Sequence, residues 1–237
     1  QVIIPNFDEQ GQERLLNTRC LIVGAGGLGC PVALYASAAG FGHIEIYDQD
    51  IIEISNLNRQ IAHKNEHIGN NKAENLAQEC LKINPNISVI SEKKKFDETI
   101  SVDNFDLIFD CSDSPKTKYT LNYLSHKSKK ILISGSAVQM EGQLAVWKSG
   151  LNEDYPCYEC IFPKTFEKAP TTNCREAGII GPVTSLIGSM QVNEAIKEIA
   201  LKNYQSTAGS LFLFDGVTLI LDKIKLTKNQ LCSLCSN

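Results

Sequence analysis

The run Gly24-Ala25-Gly26-Gly27-Leu28-Gly29 leaves a short apolar segment and enters a helix-compatible one. Glycines there let backbone N–H groups approach an anion closely, and the positive end of the following helix adds to the attraction. Asp48 closes the next segment, at the position where a carboxylate accepts hydrogen bonds from ribose hydroxyls. With Asp50 nearby, these residues describe a nucleotide site without fixing the nucleotide. The polar stretch Ser55-Asn56-Leu57-Asn58-Arg59-Gln60 and Lys72 at a helix start then add two cations. Hydride transfer needs no paired cations at a polyphosphate. Attack on an α-phosphate builds charge on the phosphoryl oxygens and releases pyrophosphate, and it does need them. Asp113 offers a carboxylate to Mg²⁺, an ion that takes few protein carboxylates beside phosphate oxygens. Each charged residue alone reads as solvated surface. Their recurrence at strand ends and helix starts along one edge is what points to a site.

The cysteines carry a second chemistry. There are nine, an odd number that does not suit a secreted disulfide framework. Cys157-Tyr-Glu-Cys160 and Cys232-Ser-Leu-Cys235 each supply two thiolates from one tight turn. Two such pairs far apart in sequence are the pattern of a closed, structural tetrahedral Zn²⁺ site, with disulfides as the alternative. Cys20, Cys30, Cys80 and Cys111 lie in apolar contexts and read as small buried side chains. Cys174 sits in a polar stretch beside Arg175, whose charge favours a thiolate; a covalent role and an unreactive loop cysteine are both open. His63 and His67 are four apart without supporting ligands, and both read as surface.

These residues need elements to hold them. Strands are expected at Cys20 to Val23, 43–48, from Ile87, at Asp106 to Asp110 and at Ile131 to Ile133. Helices are expected at Pro31 to Ala39, from Asn71 to the Asn84-Pro85-Asn86 stop, and after the capping pair Ser114-Pro115. Ala73, Leu76, Ala77, Cys80 and Leu81 keep the spacing of one buried helical stripe. Alternating strands and helices make a doubly wound, Rossmann-like α/β fold with a mainly parallel sheet. After residue 140 the pattern changes: strands at Gln143 to Trp147, Leu211 to Phe214 and Thr218 to Leu226 imply antiparallel pairing, with a long helix near Val183 to Ala200 between them. The whole of 1–237 reads as one domain, its nucleotide-binding part about 1–140 and its antiparallel, zinc-binding part about 141–237.

Composition narrows the function. Hydrophobic residues are 43% and charged residues 21%, with a net charge of −4 and no basic block beyond Lys93-Lys94-Lys95, which argues against nucleic-acid binding. Leu21 to Gly42 carries no charge and is long enough to span a bilayer, but six glycines and a proline break it, so a membrane span is not expected. With no secretory signal, a soluble, cytoplasmic protein is expected.

Taken in order, Gly24 to Gly29, Asp48 and Asp50, Ser55 to Gln60, Lys72, Cys111-Ser112-Asp113, Asn173-Cys174-Arg175-Glu176-Ala177-Gly178 and the two Cys-x-x-Cys pairs resemble the ThiF/MoeB/HesA family of E1-like adenylyltransferases, from about Phe7 to Cys235. The resemblance implies a homodimer that uses Mg-ATP to adenylate the C-terminal Gly-Gly carboxylate of a small ubiquitin-fold sulfur carrier, of the thiamine or the molybdopterin type. A cysteine desulfurase or rhodanese would be the sulfur donor. It implies that Gly24, Gly26, Gly27 and Gly29 cradle the nucleotide and that Asp48, with Asp50, binds ribose. Ser55, Asn56, Asn58, Arg59 and Lys72 would meet the phosphates, Asp113 the magnesium, and Cys174 the carrier. Phe162 to Thr172 is expected to be a crossover loop over the carrier's tail. Two departures stand out: Ser114 replaces the usual Asn, which puts its nucleotide contact in question, and the family's cross-dimer arginine would lie just before Gln1. The alternatives are an NAD-dependent oxidoreductase, disfavoured by Arg59, Lys72 and the zinc cysteines, and a non-catalytic zinc-stabilised scaffold.

Overall fold

Residues along the central strands alternate between two buried faces, so each strand must be covered on both sides. In the computed structural model, which describes residues 1–164, 177–202 and 204–236, the elements run α1 (Asp8–Asn17), β1 (Arg19–Val23), α2 (Gly29–Ala39), β2 (His43–Tyr47), α3 (Lys72–Ile83), β3 (Ser88–Glu92), β4 (Leu107–Asp110), α4 (Pro115–Lys127), β5 (Ile131–Val138), β6 (Glu141–Trp147), α5 (Tyr158–Ile161), α6 (Gly181–Ala200), β7 (Ser210–Asp215) and β8 (Ile220–Lys225). They build an eight-stranded sheet in the order β3-β2-β1-β4-β5-β6-β7-β8. The first five are parallel; β5 to β8 pair antiparallel. This is a Rossmann-like mixed sheet extended by antiparallel C-terminal strands. Strand order reverses between β1 and β4, the crevice where open α/β sheets bind ligands.

Cys20 and Ile22 of β1 face a core shared with α2, α3 and α6, while Leu21 and Val23 face a second one with Leu121 of α4, Phe105 and Trp147. α2 is almost wholly buried, which explains its uncharged sequence, and it ends on Gly40 in the left-handed region (φ 88°). Among the described residues no helix is long and apolar enough to cross a membrane.

Two elements exceed the sequence expectation. β5 runs five residues past Ile133, because beyond Ser134, where β4 stops, its partners are Gly135↔Leu144 to Val138↔Glu141 of β6. α1 has no sequence signal, since only Gly11 and Leu15 are buried in it. Polar contacts hold it: Arg14 donates to the Ile199 and Ala200 carbonyls, satisfying the open C-terminal end of α6.

Candidate functional site

The glycine turn is built by close approach. Gly24 sits at φ 103°, and a Cβ there would lie 2.7 Å from the carbonyl oxygen of Cys111, the residue just past β4. At Gly29 a Cβ would lie 1.8 Å from the Gly24 carbonyl oxygen, so a side chain would spread the turn open. The turn therefore closes tightly enough to bring its backbone to the sheet edge, and Gly29 does this by packing rather than by facing a ligand.

Above that edge lies a cavity of about 400 Å³, within the range of small-molecule sites. Of the residues predicted for a nucleotide, Gly24, Gly26, Gly27, Asp48, Asp50, Arg59, Lys72, Asp113 and Ser114 line it. Asp48 follows β2; its Oδ2 accepts from the Ala25 N–H at 2.7 Å and its Oδ1 from the Asp50 N–H at 2.8 Å. Burial raises its pKa, partly offset by those N–H groups and by Lys72. Asn71 caps α3 by accepting from Glu74 N–H, and its Nδ2 donates to the carbonyls of Asp48 and Asp50. The helix start thus fixes the acidic loop, and Lys72 Nζ lies 3.1 Å from Asp50 Oδ2.

Ser55, Asn56 and Asn58 lie outside the lining. Ser55 lends its carbonyl and Asn58 its Oδ1 to Arg59 Nη1, each at 2.9 Å, while Asn56 is buried with Oδ1 on the Glu53 N–H. These residues shape the arginine rather than face the cavity. Ser114 lines the cavity and also caps α4, accepting from Thr117 N–H. Asp113 is exposed and has no hydrogen-bond or ion-pair partner among the described residues, which leaves its carboxylate available to a cation.

Sequence reasoning missed several groups. Lys118 is buried and lines the cavity, with Nζ 2.9 Å from Asp110 Oδ2 and 3.0 Å from the Gly135 carbonyl. Its signal is positional: four residues after the cap Ser114, it faces back to the strand ends. Gln60 lines the cavity, and its Oε1 is buried with no hydrogen-bond partner among the described residues. His63, expected at the surface, is instead 5% exposed. The polar run around it hides a turn, closed by the His63 N–H on the Gln60 carbonyl, that brings the ring against the Ala25 carbonyl.

At the other end of the chain, Cys157, Cys160, Cys232 and Cys235 converge with all four sulfurs within 4.8 Å of one another. Neighbouring Sγ atoms are 3.9, 3.6 and 3.3 Å apart, near the roughly 3.8 Å edge of a tetrahedron with Zn–S bonds of about 2.3 Å. Burial and the adjoining thiols push the Cys157 thiol well above its ordinary range and Cys160 up to about 11. Four thiolates can share this space only around a cation, and two Cys-x-x-Cys pairs closing a tetrahedron are the donor set of structural zinc. Cys20, Cys30, Cys80 and Cys111 are buried as expected. Cys174, and most of the segment expected to cross over a carrier's tail, lie outside the described residues.

A Rossmann-like sheet with an acid and cations at its switch point and a four-cysteine zinc-binding cluster defines an E1-like nucleotide-binding protein. The ThiF family model matches residues 1–234, and the chain belongs to the ThiF family. It is 39% identical over 241 residues to the adenylyltransferase and sulfurtransferase MOCS3 of Caenorhabditis briggsae, covering 100% of this chain and 59% of that protein. The MOCS3 of Dictyostelium discoideum is 36% identical, again over 100% of this chain and 56% of its own length. The chain thus spans little more than half of these curated relatives. Among solved structures, E. coli MccB with ATP superposes with a TM-score of 0.80 at 22% identity, over 95% of this chain and 68% of that one, a likeness of fold.

Proposed function

We propose that this chain is an ATP-dependent adenylyltransferase that activates the C-terminal Gly-Gly carboxylate of a ubiquitin-fold sulfur-carrier protein. The observation that carries this reading is the cavity itself. One sheet edge gathers a tight glycine turn, an acid at the ribose position, Arg59 and Lys72, and an Asp113 without a partner among the described residues, in a chain whose relatives are named adenylyltransferases. The glycine turn would seat the phosphates and Asp48 the ribose hydroxyls. The carrier's carboxylate oxygen attacks the α-phosphorus, the bond to the bridging oxygen breaks, and pyrophosphate leaves. A carboxylate is already ionised at neutral pH, so the reaction needs orientation and charge neutralisation rather than a general base. Arg59 and Lys72 supply the neutralisation. Mg²⁺, when bound, would add charge neutralisation at the phosphates, and Asp113 would hold it.

The far wall, Ser136 to Val138 of β5 with Glu141 and Gln143 of β6, is where the carrier's tail would enter. The resemblance further supports a cytoplasmic homodimer acting as one adenylation unit, a thiamine-type or molybdopterin-type carrier, a desulfurase or rhodanese as sulfur donor, and Cys174 as the group that links to the carrier. ATP–pyrophosphate exchange with carriers ending in Gly-Gly tests the proposal. Exchange is expected only with carrier present, and it should be lost in Arg59→Ala and Asp113→Ala. Exchange unchanged in both variants, or NAD binding in place of ATP, overturns it.

A further inference from the structure

The geometry points to His63 as a positioning residue that aims the backbone N–H of Gly26 at the nucleotide's phosphate; this rests on the reading of the glycine turn as the phosphate seat. His63 Nε2 lies 3.0 Å from the Ala25 carbonyl oxygen and Nδ1 lies 2.9 Å from Asn75 Nδ2. Asn75 Nδ2 also donates to the Ala62 carbonyl at 3.2 Å, so the amide cannot turn round without setting oxygen against oxygen. Nδ1 must therefore accept and Nε2 must carry the proton, a single neutral tautomer. Protonating Nδ1 would face it with another donor. Burial, with Lys72 and His67, lowers the His63 pKa, while the Ala25 bond and Glu79 act the other way. A further titratable neighbour is Cys30, whose Sγ lies 3.8 Å from Nε2 and 3.6 Å from the Ala25 oxygen.

Residue Ala25 is thus held at both of its peptide groups: its N–H by Asp48, and its C=O, part of the peptide shared with Gly26, by His63. In a planar trans peptide, C=O and the next N–H point in opposite directions. Drawing the Ala25 carbonyl into the core therefore turns the Gly26 N–H outward, at a residue that lines the cavity. Among the described residues that N–H has no intramolecular acceptor. A bound phosphate oxygen would supply one, through a charge-assisted bond.

The test compares His63→Gln, which keeps an N–H at the Nε2 position, with His63→Asn, which keeps the acceptor for Asn75 but cannot reach Ala25. His63→Leu removes both. ATP affinity by calorimetry, with melting temperature and zinc content as folding controls, should stay within about threefold of the parent in His63→Gln. It should fall roughly 10–100-fold in His63→Asn, the worth of one hydrogen bond to a charged group. Asp48, Glu79, His67 and Lys72 are common to the parent and His63→Gln, so their titration cancels in the ratio of affinities. That ratio should change below pH 6.5 as His63 protonates in the parent alone. Equal ATP affinity in His63→Asn and His63→Gln overturns the assignment whether or not His63→Leu folds. If the parent binds NAD instead of ATP, the adenylyl reading fails. The same contrast measured with NAD then still judges His63, because a dinucleotide's pyrophosphate would use the same N–H.

Discussion

Replacing Asp110 by Asn probes how the site is braced. Asp110 ends β4 with 1% of its side chain exposed, and its Oδ2 accepts from Lys118 Nζ at 2.9 Å and from Ser134 Oγ at 2.6 Å. Its Oδ1 accepts from the N–H and Oγ of Ser112, at 3.1 and 2.7 Å, and so holds the turn that carries Asp113. Asparagine keeps the volume but removes the charge and turns one acceptor into a donor. The Lys118 ammonium, 10% exposed, then keeps only the Gly135 carbonyl at 3.0 Å without competition. Removing one partner of a buried pair costs about 3–5 kcal/mol, because the other charge stays behind uncompensated. In a domain of this size each kcal/mol moves the melting temperature by about 2–4 °C, so Asp110→Asn should melt about 6–20 °C lower.

Urea unfolding and thermal melts give the loss, and Asp110→Asn/Lys118→Met gives its cause. The double variant removes the stranded ammonium as well, so it should recover part of the loss, with a coupling of about 2 kcal/mol. A loss under about 1 kcal/mol in Asp110→Asn, with no recovery in the double variant, would refute the brace. The pair would then be ordinary surface electrostatics.

Gly29→Ala should lose at least about 2 kcal/mol and most ATP affinity, since its Cβ would fall 1.8 Å from the Gly24 carbonyl oxygen; calorimetry and melts on the same protein check both. Cys232→Ser should abolish bound zinc by elemental analysis, whereas parent protein purified without chelator should hold about one zinc per chain. Stability should also depend on pH through His63. Its folded pKa lies below the unfolded 6.5, so unfolding takes up a proton between the two values. This contribution is present above pH 6.5 and is lost as pH falls through the folded value, at up to about 1.4 kcal/mol per pH unit. Urea melts of the parent minus His63→Gln isolate it, and a pH-independent difference would count against the buried neutral imidazole.

The parallel half was legible because its signals are local. Asp48 and Asp113 fall just past strand ends, Ser114 is a cap, and the glycine run can only be a turn between strand and helix. The four cysteines were legible for the opposite reason: metal chemistry fixes their spacing whatever the intervening chain does. What stayed hidden depends on tertiary partners. α1 carries no apolar stripe because Arg14 and the end of α6 hold it. Lys118 reads as one more lysine on a polar helix until Asp110 is placed opposite it. His63 reads as polar surface until α3 brings Asn75, and the turn brings the Ala25 carbonyl, to its two nitrogens.

Three of the cations that line the cavity, Arg59, Lys72 and Lys118, are not equivalent, and their present partners say why. Lys118 is tied to an aspartate with 1% of its side chain exposed, and a carboxylate so buried cannot turn to water if its ammonium leaves. Arg59 gives Nη1 to a carbonyl and an amide oxygen, neutral acceptors that fix its direction without cancelling its charge. Lys72 has a side chain 7% exposed, but its partner Asp50 is 50% exposed and can be rehydrated at small cost. A phosphate arriving there would therefore displace Asp50 from Lys72 far more cheaply than Asp110 from Lys118. On the proposed adenylyl transfer, Arg59 and Lys72 would be the charges free to follow a phosphoryl group into its transition state, and Lys118 the one that keeps the wall of the site in place.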